Sequence, residues 1–129
     1  MQSFEPTGEQ RLVIGHRGSN VLVFAGPGTG KTETLARRFA AIVHDDGIAA
    51  GEILVLTFSR RAAQGMRRRI VHRMRERSAG AIAIPELHVY TFHGFCKRLL
   101  DGDAPRGAGR DLLTPVKERL IWDRLVKDM

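Results

Sequence analysis

The chain has a single cysteine, Cys96, so no internal disulfide can form and a reducing compartment is expected. In its setting "FHGFCKRLL" that cysteine reads as a small buried hydrophobe rather than a reactive thiol. No apolar stretch approaches the roughly 18 residues of a membrane span, and the opening "MQSFEPTGEQ" has no apolar run of a leader, so a cytoplasmic protein without a membrane partner is expected. There is no internal repeat. The histidines at 16, 44, 72 and 88 lack metal-ligand spacing, which leaves no protein-held metal site among them. Acids are also sparse where they matter: residues 59–77 hold eight arginines and one acid, Glu76. That window nets +7, as does the whole chain, so the remainder is balanced. A basic block confined to one segment points to a polyanion partner there.

With 43% hydrophobic and 27% charged residues, the 129-residue chain has the composition of one globular domain with a modest core. The order of its parts is informative. Residues 7–14 predict a short helix with Thr7 as N-cap, and 21–25 predict a strand. A glycine-rich bend follows, then a helix to about His44 with Leu35, Phe39, Ile42 and Val43 on one face. "ILVLTF" (53–58) reads as a strand buried in a parallel sheet. Ser59 caps a helix to about Arg77, and "LHVYTF" (87–92) is a third strand followed by a helix to Leu100. Residues 101–109 form a linker, and Thr114 with Pro115 opens a last helix. Strands alternating with helices imply a parallel α/β sheet.

The bend "AGPGTGKT" fits the phosphate-loop pattern at Gly30, Lys31 and Thr32, with Ala25 at the first position where glycine is usual. Glycines let backbone N–H groups turn inward toward phosphates, and the following helix offers its positive N-terminus. Residues Ala25, Gly26, Pro27, Gly28, Thr29 and Gly30 would form the cradle. Lys31 would reach the β- and γ-phosphates of ATP, and the Thr32 hydroxyl would bind Mg²⁺. The loop alone does not separate a helicase from a kinase or a transporter ATPase.

In the helix after Ser59, Arg60, Arg61, Arg67, Arg68 and Arg75 fall within one arc of about 120°. Ala62, Ala63, Met66, Ile70 and Met74 occupy a separate arc suited to packing on the sheet. The row of cations reads either as a solvated face or as a track for a polyanion. Thr57 and Phe58 at the strand end put a ring beside the cations, the combination a single-stranded backbone with stacked bases requires.

Three further stretches resemble motifs of UvrD/Rep-type superfamily I DNA helicases. "FEPTGEQ" has Phe4, Pro6, Thr7, Glu9 and Gln10 at Q-motif spacing; "LVLTFSRRAAQGMRRRI" is similar to motif Ia, T-F-T-N-K-A-A-x-E-M-x-x-R-I; and "VYTFHGFCKRLL" is similar to T-F-H-x-F. "LLTPVKERLIWDRLV" resembles the helical segment that comes next in the family. The resemblance implies a RecA-like P-loop fold and ATP-dependent 3′–5′ helicase activity on single-stranded DNA or DNA with a 3′ single-stranded tail. It assigns Gln10 to the adenine edge, although Gln10 is also the partner of Thr7 in a T-x-x-Q capping box. It assigns Thr57, Phe58, Arg60, Arg61, Thr91, Phe92 and His93 to the DNA groove. The expected layout is residues 1–101 as the front of the ATP-binding domain and 102–129 as linker and first helix of an inserted helical subdomain.

The sequence also departs from the family. Arg60 and Arg61 replace the Asn and Lys of motif Ia, and Gly65 replaces its Glu. Glu33 stands where many members carry an arginine, and an acid cannot stack cationically on adenine. There is no adjacent Asp-Glu pair, and "HDDG" and "LLDGD" follow helices rather than strands, so neither suits a Walker B site. The chain is therefore expected to be the front of a motor domain that is inactive alone. Other readings are the motor of a RecB/AddA-like helicase-nuclease, a non-enzymatic nucleotide- and nucleic-acid-binding module and, least apt, a small-molecule P-loop kinase.

Overall fold

The computed structural model describes residues 5–78 and 86–103. The expected connector over 79–85, most of the linker and the helix from Thr114 lie outside these residues. The chain divides into two compact units, the first ending at Phe92 and the second beginning at His93.

In the first unit, α1 (Gly8–Gly15) is followed by α2 (Lys31–Asp45), a short 3-10 turn (Ala50–Glu52), β1 (Leu54–Thr57), α3 (Arg60–Arg77) and β2 (His88–Thr91). The two strands pair in parallel with Leu54 opposite His88 and Thr57 opposite Thr91, and α3 makes the crossover between them. Parallel strands require such a long connection, and α3 supplies it. Ser59 caps α3, its Oγ accepting from Ala62 N at 3.1 Å, as its place before the arginine run predicts.

The core lies where α2 and α3 meet over the sheet. On α3 the buried side chains are Met66, Ile70 and Met74, each one turn from the last. On α2 they include Ala36, Phe39 and Ala40, whose small neighbours let the helices approach closely. Ile70 and Leu87 are the largest fully buried side chains. Two details of helix faces differ from expectation. Ala62 is exposed, the buried stripe of α3 starting at Met66. Leu35 is 47% exposed, because the buried stripe of α2 runs through Ala36 and Ala40 instead.

The strand expected at 21–25 does not form: residues 20–26 have no regular structure, and Leu22 and Phe24 are 78% and 89% exposed. Apolar sequence supplies strand propensity, but a strand also needs a neighbour to accept and donate its ladder bonds. Among the described residues, β1 pairs only with β2, and nothing pairs with 21–25.

Helix α4 (Phe92–Asp103), which from His93 onward belongs to the second unit, begins one residue earlier than expected and continues through Asp101–Asp103, where the sequence reads as a linker. An ion pair between Lys97 Nζ and Asp101 Oδ2 at 3.4 Å supports that extra turn. Cys96 is exposed, not buried, and so are Phe92, Leu99 and Leu100 on the same face of α4. No helix among the described residues is long and apolar enough to cross a membrane.

Candidate nucleotide site and nucleic-acid surface

Helix α1 is held against α2 by Arg38, which donates to His16 O at 2.7 Å and to Val13 O at 2.5 Å. That arrangement sets Gln10 beside the phosphate loop. Thr7 and Gln10 form the full capping box: Thr7 Oγ1 accepts from Gln10 N, and Gln10 Oε1 accepts from Thr7 N. The remaining polar atom of the amide, Nε2, donates to Thr29 O at 3.0 Å. Gln10 therefore serves as helix cap and as a tie to the loop at once.

The loop is bent by two glycines in the left-handed region, Gly28 at φ 74° and Gly30 at φ 82°. A side chain at either position would be strained. Thr29 Oγ1 closes the bend by donating to Gly26 O at 2.8 Å. Gly30 is also the N-cap of α2, so the helix axis starts at the loop and its free N–H groups face the same space. Lys31 Nζ donates to Ala25 O at 3.0 Å and also to Gly26 O, so its charge sits inside the loop on the loop's own carbonyls. The Thr32 side chain is exposed and makes no hydrogen bond among the described residues.

A cavity of about 540 Å³ opens beside this loop, lined by residues that include Thr7, Gln10, Val13, Phe24, Gly26 and Lys31. It offers apolar walls at Val13 and Phe24 with a cation at one end, which fits a base joined to phosphates. No group of three His, Cys, Asp or Glu among the described residues could hold a metal ion. The Thr32 hydroxyl suits an ion that arrives already bound to phosphate oxygens. Phe24 and Val13 were not singled out from sequence, since neither belongs to a recognisable spacing.

Glu33, one turn into α2, does not face this cavity. It is 8% exposed and turns toward α3. Its carboxylate accepts from Arg37 Nε at 2.7 Å and lies 2.6 Å from Arg73 Nε and 3.5 Å from Arg69 Nη1. Burial pushes the Glu33 carboxyl up, but the Arg37 hydrogen bond and the adjacent Arg73 guanidinium outweigh it and hold the carboxyl below the ordinary carboxylate value. Desolvation pushes the Arg73 guanidinium down, and Glu76 and Glu33 more than offset that. The i, i+4 spacing of Glu33 and Arg37 was the only sequence signal for this cluster; the α3 partners are 36 and 40 residues away.

The arginines of α3 divide into two rows. Arg69, Arg73 and Arg77, spaced by four, turn toward α2 and meet Glu33, Glu76 and Asp45. Asp46 is engaged by Arg17, so both acids of "HDDG" are structural. Arg60, Arg61, Arg68 and Arg75 are exposed and form no ion pair among the described residues. Arg67, on the edge of that row, donates to Leu87 O at 2.9 Å.

At the strand ends, Phe58 is 94% exposed and Phe92 51% exposed, with ring centroids 6.4 Å apart in an edge-to-face arrangement. Thr57 and Thr91 end the two paired strands beside them. Thr57, Phe58, Arg60, Arg61, Thr91 and Phe92 therefore come together on the first unit. His93 is exposed and opens the second unit.

The family model of the UvrD/REP helicase N-terminal domain matches residues 7–128. Similar curated proteins include a "Probable DNA helicase" of Mycoplasma pneumoniae, 43% identical over 92 residues. They also include the "ATP-dependent DNA helicase UvrD1" of Mycobacterium tuberculosis, 38% identical over 96 residues, and the "ATP-dependent DNA helicase UvrD2" of Mycobacterium bovis, 38% identical over 122 residues. These matches cover 71%, 74% and 93% of this chain but only 16%, 12% and 14% of the relatives' own lengths.

Proposed function

As the chain belongs to the UvrD/REP helicase N-terminal domain family, we propose that it is the ATP- and single-stranded-DNA-binding portion of an ATP-dependent DNA helicase that translocates 3′ to 5′. The observation that carries this reading is the tie between Gln10 and Thr29: a short N-terminal motif is hydrogen-bonded to the phosphate loop at the mouth of one cavity.

The backbone N–H groups of 26–30 and the start of α2 would hold the β- and γ-phosphates. Lys31 would exchange the carbonyls of Ala25 and Gly26 for phosphate oxygens, a stronger, charge-assisted pairing. Gln10 would offer its amide to the adenine edge, releasing one of its present partners. The Thr32 hydroxyl would hold a Mg²⁺ carried in with the nucleotide, which would supply charge neutralisation at the phosphates. At the strand ends, Phe58 and Phe92 would stack bases while Arg60 and Arg61 take phosphates and Thr57 and Thr91 line the same groove; in the second unit, His93 would be a DNA contact of its own.

Hydrolysis also requires an acid to position Mg²⁺ and water. The 129 residues include no adjacent Asp-Glu pair, so this chain by itself is proposed to bind nucleotide without turning it over. Titration with a fluorescent ATP analogue and Mg²⁺ tests the site: Lys31→Ala is expected to weaken binding more than tenfold, and equal affinity would overturn the assignment. Steady ATP turnover by the chain, abolished by Lys31→Ala, would overturn the second part. Salt-sensitive single-strand binding that ignores nucleotide altogether would favour a plain nucleic-acid-binding module.

A further inference from the structure

The arginines that α3 leaves free extend well past the strand ends, and the proposed single-strand groove does not use them all. Arg61, Arg68 and Arg75 recur every seven residues, so they stand on one line about 10 Å apart over about 21 Å of helix. No acid lies three or four residues from Arg60, Arg61, Arg68 or Arg75, the positions from which a helix neutralises its own charge. Spacing near the Debye length leaves part of their mutual repulsion unscreened at physiological salt. The opposite row, Arg69, Arg73 and Arg77, has acids from both its own helix and α2. Thus, among the described residues, the fold neutralises one row and forms no ion pair with the other.

A second difference separates this row from the strand-end groove. Phe58 and Phe92 are exposed beside Arg60 and Arg61, whereas among the described residues α3 carries no Phe, Tyr or Trp beside Arg68 and Arg75: their helical neighbours are Gln64, Val71 and the smaller ring of His72. Single-strand sites combine cations with rings on which bases stack. Cations without rings can engage phosphates alone, and phosphates are what a paired duplex presents outward.

We infer that the outer face of α3, centred on Arg68 and Arg75, is a second nucleic-acid surface that binds the phosphate backbone of a duplex, while the strand-end groove takes the single strand. This inference rests on the nucleic-acid reading above and adds a separate surface to it. Contacts are sequence-independent and strongly salt-dependent.

The test is fluorescence anisotropy of the full chain over a salt series, with a single strand and with a duplex carrying a 3′ single-stranded tail. Arg68→Glu/Arg75→Glu is expected to weaken tailed-duplex binding roughly tenfold or more and to reduce its salt slope by about two, with single-strand binding unchanged. Arg60→Glu/Arg61→Glu is expected to weaken the single strand. Arg68→Gln/Arg75→Gln, which removes charge without reversing it, should show the same pattern at smaller size, and melting curves confirm that each variant is folded. Duplex affinity and slope that stay at the unmodified values overturn the inference and leave the groove standing. Equal loss for both ligands also overturns it, since the row would then belong to the single-strand path. Failure of the unmodified chain to bind either ligand removes both readings.

Discussion

The two flanks of α2 differ in almost every respect. On one side lies residues 21–30, exposed nearly throughout, irregular up to the loop and held by a few hydrogen bonds from Gln10, Thr29 and Lys31. On the other lie Phe39, Met66, Ile70 and Met74 in a dry core, sealed at the edge by Glu33 and its arginines. Stability is concentrated where apolar area is buried, and ligand chemistry where backbone groups are left open. A side that must accept phosphates cannot also bury its polar groups against protein. The comparison therefore predicts which changes unfold the chain and which leave it folded.

The largest effect is expected in the core. Ile70→Ala removes a side chain with no solvent exposure and should lower unfolding free energy by about 2–5 kcal/mol in urea titration. Little or no loss would mean that the α2–α3 contact is not where stability resides.

Next comes the ionic edge. Glu33→Gln keeps the volume but removes the carboxylate that Arg37 and Arg73 share, at a cost of about 1–3 kcal/mol near neutral pH. The sign with pH follows from the depressed carboxyl of Glu33, which faces Arg37, Arg69 and Arg73. Its contribution is fully present above the ordinary carboxylate pKa and is lost as pH falls through the lower folded value. The gap between the two proteins should accordingly close in acid. A gap that widened on acidification would contradict the assignment.

Smaller changes sharpen the contrast on the open side. Thr7→Ala removes the cap of α1 and should cost about 1 kcal/mol, while also loosening nucleotide binding through the displaced Gln10. Retained nucleotide affinity in that variant would separate the capping role of Gln10 from any ligand role. Gly65→Ala, on α3 where an added Cβ meets nothing within 4 Å, should stabilise by about 0.5–1 kcal/mol without altering either ligand.

Much of the architecture was readable because its signals are local. Thr7 and Ser59 cap the helices they precede, "VLT" and "VYT" form strands, and the left-handed glycines stand within "AGPGTGKT" where a phosphate loop needs them. Other features depart from local sequence signals for a common reason. "VLVFA" has strand propensity but no ladder partner among the described residues; Cys96 has apolar neighbours in sequence but an exposed place on α4; and Leu35 fits the helical stripe of α2 but sits at its rim. Each depends on what lies opposite, which periodicity does not encode.

By itself, then, the sequence determined the phosphate loop, the caps, the two paired strands with the helix between them, the concentration of charge in one helix and the family to which the chain belongs. Tertiary structure alone decided how that charge is used. Glu33 and Asp45 reach α3 from another helix, across 32 to 40 positions of sequence, and neutralise Arg69, Arg73 and Arg77. Arg68 and Arg75 form no ion pair among the described residues. Eight arginines of like chemistry thereby become two rows with different work, because Coulomb energy depends on distance in space rather than on order along the chain.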